Sequence, residues 1–337
     1  MTSRRRSGRR SGEDATREES ASAAPLNALS GVVVRAYGKF FTVQLADGRE
    51  LLSTIKGGLK RRRRGTDLVA VGDRVAVTDV GEGEGRIESV EPRRSALSRL
   101  ARHTDDVEQI ILANPDQALF LFAVRNPEPH PRLLDRFLIM AESRNLQALI
   151  GVNKMDLDEP GIDSQPSLAH RLFGRYEHMY PVYYLSAKSG QGLEDLRAAL
   201  VGKITAVAGP SGVGKSSLLN VLDPSRERTV GAISIATGKG RHTTTATVLH
   251  RVPGDAPTYI ADTPGIRALS LQGVDTNELD ELFPEMRPFL KECRYADCSH
   301  MTEPGCAVCA AVDDGQISRE RYESYAALRG SETPEVG

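Results

Sequence analysis

The chain has 337 residues, of which 39% are hydrophobic and 26% are charged, which indicates an ordinary globular protein of two or three domains. No apolar run approaches the length of a membrane span, and the N-terminal arginines precede no apolar segment of the signal-peptide type, so we expect a cytoplasmic protein without membrane contact. The formal net charge of −1 hides local asymmetry, because residues 4–10 and 60–64 are basic whereas residues 275–285 are acidic. Any nucleic-acid contact is therefore expected at patches.

Residues 1–28 are rich in Arg, Ser, Glu and Ala, a composition that predicts a disordered basic tail. Within residues 29–100, five short strand patterns are separated by turn-forming sequences. They span residues 31–36, 40–45, 50–54, 73–80 and 86–90. This pattern predicts an OB-like barrel, a common fold for binding RNA. The basic run at residues 60–64 would be a phosphate-neutralising loop or, alternatively, a solvated charge run.

A guanine-recognition pattern follows a buried-strand pattern at residues 147–152. It consists of Asn153, Lys154, Met155 and Asp156. An ionised aspartate is acceptor-only and matches the N1–H and N2–H₂ donors of guanine, whereas adenine offers no such pair. The motif stands at the carboxyl end of a strand, where open α/β sheets bind ligands.

A further apolar run at residues 182–185 precedes a short loop sequence, Ser186, Ala187 and Lys188. This tripeptide is typical of the loop that supports the guanine ring and offers a backbone N–H to its O6 oxygen. By itself it is a weak indication, and its value lies in its position after the guanine motif.

A phosphate-binding loop is predicted between the apolar strand at residues 204–208 and a helical pattern at residues 217–222, the context that the G-x-x-x-x-G-K-S sequence requires. The residues are Gly209, Pro210, Ser211, Gly212, Val213, Gly214, Lys215, Ser216 and Ser217. The glycines let successive backbone N–H groups point at phosphate oxygens, above the positive end of the helix. Lys215 would reach the outer phosphates, and the Ser216 hydroxyl would bind Mg²⁺. A glycine-rich surface turn is the alternative.

Two switch segments are expected downstream. The strand at residues 258–261 ends in Asp262, which suits water-mediated Mg²⁺ binding, and Gly265 can give its N–H to the terminal phosphate. Between this strand and the phosphate loop lies a polar sequence at residues 238–245. One of its threonines would complete the metal shell while the terminal phosphate is present, and the candidates are Thr243, Thr244 and Thr245.

Catalysis is the least determined part of the pattern. Many GTPases place a glutamine after the Asp-x-x-Gly segment to orient the attacking water, but Ile266 stands here and can neither donate nor accept. His242 is the nearest candidate for holding that water, and a loop histidine without a role is the alternative. Hydrolysis should be slow without a partner that orders this loop.

All four cysteines fall between Cys293 and Cys309, which favours metal binding over disulfides. Cys293, Cys298, His300 and Cys306 provide a closed Cys₃His set for one structural Zn²⁺. Cys309 is an alternative fourth ligand, because it forms a Cys-x-x-Cys pair with Cys306. Amphipathic helices are predicted on both sides, at residues 277–290 and 319–328.

The order of these motifs, with Asn153 and Ser186 before Gly209 and then Thr243 and Asp262, resembles the circularly permuted GTPases, and most closely the RsgA (YjeQ) family of small-ribosomal-subunit biogenesis GTPases. The resemblance implies a multidomain α/β protein. Its parts would be an OB-fold RNA-binding domain at 29–100, a circularly permuted P-loop GTPase domain at 101–272 and a helical zinc-binding domain at 273–337. It also supports catalysis by His242 and favours His300 over Cys309 as the zinc ligand.

For partners, the resemblance implies GTP and GDP, the small ribosomal subunit and its rRNA, with binding in the GTP state and release after hydrolysis. A monomer is expected. A nucleotide-gated RNA-binding switch for a different RNA is the main alternative. A P-loop kinase or ATPase is disfavoured by Asn153 and Asp156, because these residues select guanine.

Overall fold

The computed structural model describes residues 27–57, 68–100, 108–161, 165–224, 247–262 and 274–330. The predicted N-terminal tail therefore falls outside the described residues except for its last two positions. The basic run at residues 60–64 also lies outside them. Among the described helices, none is long and apolar enough to cross a membrane.

The N-terminal part is a closed five-stranded barrel in the order β1-β2-β3-β5-β4. Its strands are Leu29–Tyr37 (β1), Phe40–Leu45 (β2), Glu50–Ile55 (β3), Arg74–Gly81 (β4) and Glu84–Val90 (β5). Strands β3 and β5 pair in parallel, and β1 closes the barrel against β4 in antiparallel register. Alternate apolar side chains, such as Val43 and Val77, fill the interior. The predicted OB-like barrel is confirmed.

A two-stranded hairpin that was not predicted connects the barrel to the rest of the chain. It pairs Ala96–Leu100 (β6) with Glu108–Ala113 (β7). The Ala113 N–H donates to the Val71 carbonyl at 2.8 Å, and the Asn114 amide donates to the Gly72 carbonyl at 3.1 Å. Gly72 has φ +92°, and a Cβ there would lie 2.0 Å from the Ala113 oxygen. Only glycine fits at this junction.

The central part is a six-stranded sheet in the order β10-β9-β8-β11-β13-β12. The strands are Gln117–Ala123 (β8), Gln147–Asn153 (β9), Val182–Tyr184 (β10), Ile204–Ala208 (β11), Val248–Val252 (β12) and Thr258–Asp262 (β13). The helices are Pro131–Ser143 (α1), Leu168–Phe173 (α2), Leu193–Leu200 (α3) and Lys215–Leu222 (α4). Strands β8 and β11 are buried along their whole length, as a parallel sheet covered on both faces requires.

The chain order through this sheet agrees with the rearranged motif order found in the sequence. Strand β11, which precedes the phosphate loop, lies between β8 and β13, and only residues 201–203 join it to α3. Strand β9, which carries the guanine motif, pairs with β8 on the side away from β11. In the chain, β9 comes before β11, so the guanine motif precedes the phosphate loop. Both β9 and β11 run parallel to β8, so their carboxyl ends bring the two motifs to one edge of the sheet.

The C-terminal part combines 3₁₀ turns with two helices. The turns are Thr276–Leu282 and Leu290–Glu292, and the helices are Ala307–Asp313 (α5) and Arg319–Arg329 (α6). The prediction of a helix at residues 319–328 is confirmed, but the one at residues 277–290 is wrong. Pro284 and Pro288 lack a backbone N–H and clash with the preceding turn, so a continuous α-helix cannot form there.

Candidate functional site

The phosphate loop runs from the end of β11 to the start of α4 and depends on its glycines. Gly209, Gly212 and Gly214 have φ values of +151°, +79° and +97°. A Cβ on Gly209 would lie 2.1 Å from the Leu121 carbonyl oxygen, and one on Gly214 would lie 2.3 Å from Nδ2 of Asn153. Both the dihedral angles and the close approaches exclude larger residues, so the loop can curl around an anion.

Lys215, the first residue of α4, turns its ammonium back into the loop. Nζ lies 2.9 Å from the Gly209 carbonyl oxygen and 2.6 Å from that of Pro210. Ser216 and Ser217 follow in the same helical turn. The first N–H groups of a helix have no acceptor within it, so this turn and the lysine can offer hydrogen-bond donors to an anion.

Asn153 ties three loops together from the last position of β9, where its side chain is buried. Its Nδ2 donates to the Val213 carbonyl at 2.8 Å, and its Oδ1 accepts from the Ala187 N–H at 3.0 Å. The asparagine therefore fixes the guanine motif against both the phosphate loop and the supporting loop.

Asp156 presents its carboxylate beside the supporting loop. The Ser186 hydroxyl donates to Oδ1 at 2.7 Å, and Lys188 Nζ lies 3.6 Å from Oδ2. The hydrogen bond from Ser186, followed in size by smaller contributions that include the Lys188 charge, holds the pKa of Asp156 below its ordinary value. The carboxylate stays ionised, which is the form that accepts hydrogen bonds from guanine.

Lys154 contacts a segment that sequence reasoning did not include, the loop of residues 125–130 between β8 and α1. Its ammonium donates to the Asn126 carbonyl. Pro127 approaches the phosphate loop from the same side, because a Cβ on Gly212 would lie 3.6 Å from Pro127 Cδ. The 125–130 loop thus contacts the guanine motif and borders the phosphate loop.

The switch residues are described only in part. Asp262 ends β13 opposite Val207 of β11, which places it beside the phosphate loop. Gly265 lies outside the described residues, as do His242, Thr243, Thr244 and Thr245. The described pocket therefore includes the predicted guanine and phosphate contacts, with Asp262 at its edge.

A second site lies in the C-terminal part, where Cys293, Cys298, His300 and Cys306 bring their ligand atoms within 4.8 Å of one another. His300 Nδ1 is 3.5 Å from the sulfur of Cys293 and 3.5 Å from that of Cys306. Its Nε2 lies 3.2 Å from Asp280, so a carboxylate orients the ring from behind. Three thiols and one imidazole in this arrangement are compatible with one Zn²⁺.

Cys309 stands apart from this group. Its sulfur lies 3.5 Å from the His300 carbonyl oxygen and 3.6 Å from the Tyr322 hydroxyl, while its backbone N–H donates to the Cys306 sulfur at 3.4 Å. Burial raises the pKa of the Cys298 and Cys306 thiols. A cation among them would favour the thiolate form, since buried charges need a partner.

The RsgA GTPase family model matches residues 90–272 of the chain. The small ribosomal subunit biogenesis GTPase RsgA of Gemmatimonas aurantiaca is 43% identical over 302 residues, which cover 89% of this chain and 96% of that relative. This chain belongs to the RsgA GTPase family. The crystal structure of YjeQ from Thermotoga maritima matches with a TM-score of 0.71 at 33% identity, covering 90% of this chain and 97% of YjeQ. The circularly permuted GTPase YloQ matches with a TM-score of 0.68 at 28% identity, covering 90% and 94%.

As a member of the RsgA GTPase family, the chain is a circularly permuted GTPase that hydrolyses GTP, as the motif order predicted. Two contributors to its sites were missed. Asn126 contributes only a backbone carbonyl, although the three prolines that follow it within five residues indicate an ordered turn. Asp280 is one of several acidic residues in its segment, so no signal distinguished it as the partner of His300.

Proposed function

We propose that this GTPase acts in late maturation of the small ribosomal subunit, binding its rRNA in the GTP state and leaving after hydrolysis. The observation that carries the proposal is the 43% identity to a relative named for small ribosomal subunit biogenesis, over 96% of that relative. The protein would act as a cytoplasmic monomer. Its barrel (29–100), GTPase domain (101–272) and zinc domain (273–337) would serve RNA binding, nucleotide binding and subunit binding.

In the proposed site, Asp156 accepts hydrogen bonds from the guanine ring, and a backbone N–H of the supporting loop at residues 186–188 would face the O6 oxygen of that ring. Lys215 and the backbone of the phosphate loop bind the phosphates. Ser216 and Asp262 would hold Mg²⁺, directly and through water, and the ion would neutralise charge on the phosphates when bound. The hydrogen bonds from Asn153 to the Val213 carbonyl and from the Ser186 hydroxyl to Asp156 support the guanine part of this assignment.

For hydrolysis, we assign His242 to orient the attacking water, one of Thr243, Thr244 and Thr245 to the metal shell, and the Gly265 N–H to the terminal phosphate. Ile266 leaves no glutamine in the usual position, which supports the histidine. The same reasoning predicts slow turnover alone and stimulation by the small subunit, which would order the segment around His242.

The Cys₃His cluster would hold one structural Zn²⁺ through Cys293, Cys298, His300 and Cys306. The convergence of these four ligand atoms and the Asp280 contact to the imidazole support this assignment. The ion would supply cross-links that stabilise a segment with little helix of its own.

The barrel is the proposed rRNA-binding surface. Tyr37 and Phe40, which face each other at the β1–β2 turn, leave about half of their surface exposed. Exposed aromatic rings next to basic residues can stack on unpaired bases. The basic run at residues 60–64 would add phosphate contacts.

The test is GTP turnover by the purified chain, alone and with isolated small or large ribosomal subunits at matched salt, with Lys215→Ala as the inactive control. Strong stimulation by the small subunit only would support the proposal. Turnover that neither subunit stimulates, with GTP binding intact, would overturn it and favour a switch acting on another RNA.

A further inference from the structure

Helix α6 buries an ion cluster against the GTPase core. The side chain of Arg321 is 1% exposed, and its guanidinium reaches Asp135 Oδ1 at 2.6 Å and Glu285 Oε1 at 2.6 Å. The guanidinium also lies over the Phe283 ring at 4.6 Å and the Tyr176 ring at 5.5 Å. An arginine with five donors in a rigid plane suits such a position, where several acceptors must be met at once.

Asp135, on helix α1 of the GTPase core, is surrounded by donors. Besides Arg321, the Tyr176 hydroxyl donates to Oδ1 at 2.9 Å, and the Ser324 hydroxyl of α6 donates to Oδ2. Asp135 itself is 1% exposed. A buried carboxylate needs these partners, so the relative position of α1 and α6 is fixed by the cluster.

The same helix α6 holds the metal-ligand loop. The Tyr322 hydroxyl donates to the His300 carbonyl at 2.8 Å, and the Tyr325 hydroxyl donates to the Ser299 carbonyl at 2.8 Å. These tyrosines are one helical turn apart, next to Arg321 and Ser324, which are also one turn apart. One short helix therefore contacts the Cys₃His loop on one side and α1 on the other.

Helix α1 leads back to the nucleotide pocket. Helix α1 begins directly after the 125–130 loop. Asp135 is its fifth residue and lies about 6 Å along the axis from the helix start. That loop accepts a hydrogen bond from Lys154 through Asn126. Further along α1, Ile139 packs in the C-terminal apolar cluster and Glu142 pairs with Arg287 at 2.6 Å. The C-terminal part thus contacts helix α1 from the second turn of that helix onward.

We propose that Arg321 is a positioning residue for the guanine-nucleotide site, and that α6 couples metal binding at the Cys₃His cluster to nucleotide affinity. Nucleotide held by Lys154 and the phosphate loop fixes the 125–130 loop and α1, which presents Asp135 to Arg321. Arg321 fixes α6, whose tyrosines hold the metal-ligand loop. The coupling is reciprocal, because an interaction free energy between two sites acts on both. It rests on the zinc and guanine assignments proposed above and not on the ribosomal role.

The experiment uses the full chain, with zinc content per chain measured first. Fluorescent GDP reports nucleotide affinity, and transfer of zinc to the chelator 4-(2-pyridylazo)resorcinol reports metal retention. In the unaltered chain, saturating GDP should slow zinc transfer, and zinc removal should weaken GDP binding, each by about fivefold or more. Arg321→Lys should weaken GDP binding while retaining its zinc, and GDP should no longer slow zinc transfer. The matched control is Arg319→Lys on the same helix, an exposed residue paired with Asp313, which should behave as the unaltered chain.

Ser324→Ala and Tyr176→Phe each remove one hydrogen bond to Asp135 and should weaken the coupling less. If circular dichroism shows that Arg321→Lys does not fold, these two variants test the coupling in its place. An unchanged effect of GDP on zinc transfer in folded Arg321→Lys, or in both milder variants, would overturn the coupling. An unaltered chain that transfers zinc to the chelator at the same rate with and without GDP would also overturn the coupling. A chain that binds GDP but no zinc would refute the zinc assignment and the coupling together. Loss of subunit stimulation with the coupling intact would instead refute only the ribosomal proposal.

Discussion

The nucleotide pocket and the α1–α6 interface both bury polar groups, but they satisfy them differently. In the pocket, side chains bond mainly to backbone atoms, as Asn153 does to Val213 and Ala187. At the interface, ionised side chains bond to one another, as Arg321 does to Asp135 and Glu285. Backbone partners are present whatever their residue type, whereas the loss of one member of an ion cluster leaves the others buried without a partner. Single changes should therefore affect ligand binding first in the pocket and stability first at the interface.

The largest effect on binding is expected from Gly214→Ala. Its φ of +97° strains alanine, and the new Cβ would meet Asn153 Nδ2 at 2.3 Å, which displaces the bond to Val213. GDP binding should fall by at least about a hundredfold while unfolding in urea changes by only about 1 to 2 kcal/mol. Gly315→Ala is the matched control, because φ there is +74° but no atom lies within 4 Å of the added Cβ. Equal GDP affinity in both variants would contradict the assignment of this loop.

At the interface, Arg321→Met should act on stability. It leaves Asp135 and Glu285 buried without their cation, and breaking a buried pair costs about 3 to 5 kcal/mol. The triple variant Arg321→Met, Asp135→Asn, Glu285→Gln removes the charges together and should recover part of that loss. Urea unfolding followed by circular dichroism measures both. A triple variant less stable than the single one would show that the cluster is not governed by unpaired charge.

The same contrast explains what sequence could predict. The guanine motif and the phosphate loop are each a continuous run of residues. Each is preceded by an apolar strand, so strands such as Ile204–Ala208 were predicted with their observed bounds. The metal ligands also lie within fourteen positions of one another. In these sites the functional residues are close together in the sequence, so their spacing alone predicts the chemistry.

The interface could not be predicted in this way, since Asp135 and Arg321 are 186 positions apart. One signal was available: Asp135 stands among the apolar residues that helix α1 buries, and a buried carboxylate needs a partner. Its identity depends on tertiary packing. The wrong helix at residues 277–290 is a different case, because Pro284 and Pro288 stand in the sequence and exclude a continuous helix despite its apolar periodicity.

A smaller effect is expected from Asp156→Asn, which changes base choice in the pocket without touching the fold. Hydrogen bonds to a charged group contribute about 1.5 to 3 kcal/mol, so GDP affinity should fall about ten- to hundredfold. Xanthosine diphosphate should then compete better than GDP, because its ring carries a carbonyl in place of the N2 donor. Competition against fluorescent GDP measures this preference. Retained guanine preference would place base recognition elsewhere.

The smallest effect should come from Ser186→Ala and should appear in the pH dependence. The Ser186 hydroxyl is the main cause of the lowered pKa of Asp156. The proposed guanine contact needs the ionised carboxylate. With a lowered pKa, the unaltered chain should keep its GDP affinity as the pH falls towards about 4, the ordinary range of an aspartate. Removing the hydroxyl moves that pKa back up, so affinity should begin to fall at a higher pH.

GDP titrations at constant ionic strength between neutral pH and this range would compare Ser186→Ala with Ser189→Ala. Ser189 contacts Ser186 through its backbone N–H and therefore keeps that bond in the variant. At neutral pH the loss in Ser186→Ala should be only about 1 kcal/mol, since Asp156 remains ionised there. Superimposable pH profiles for the two variants would mean that Ser186 positions Asp156 without controlling its charge. The pocket would then resemble the interface in relying on an opposite charge, here that of Lys188 beside Asp156.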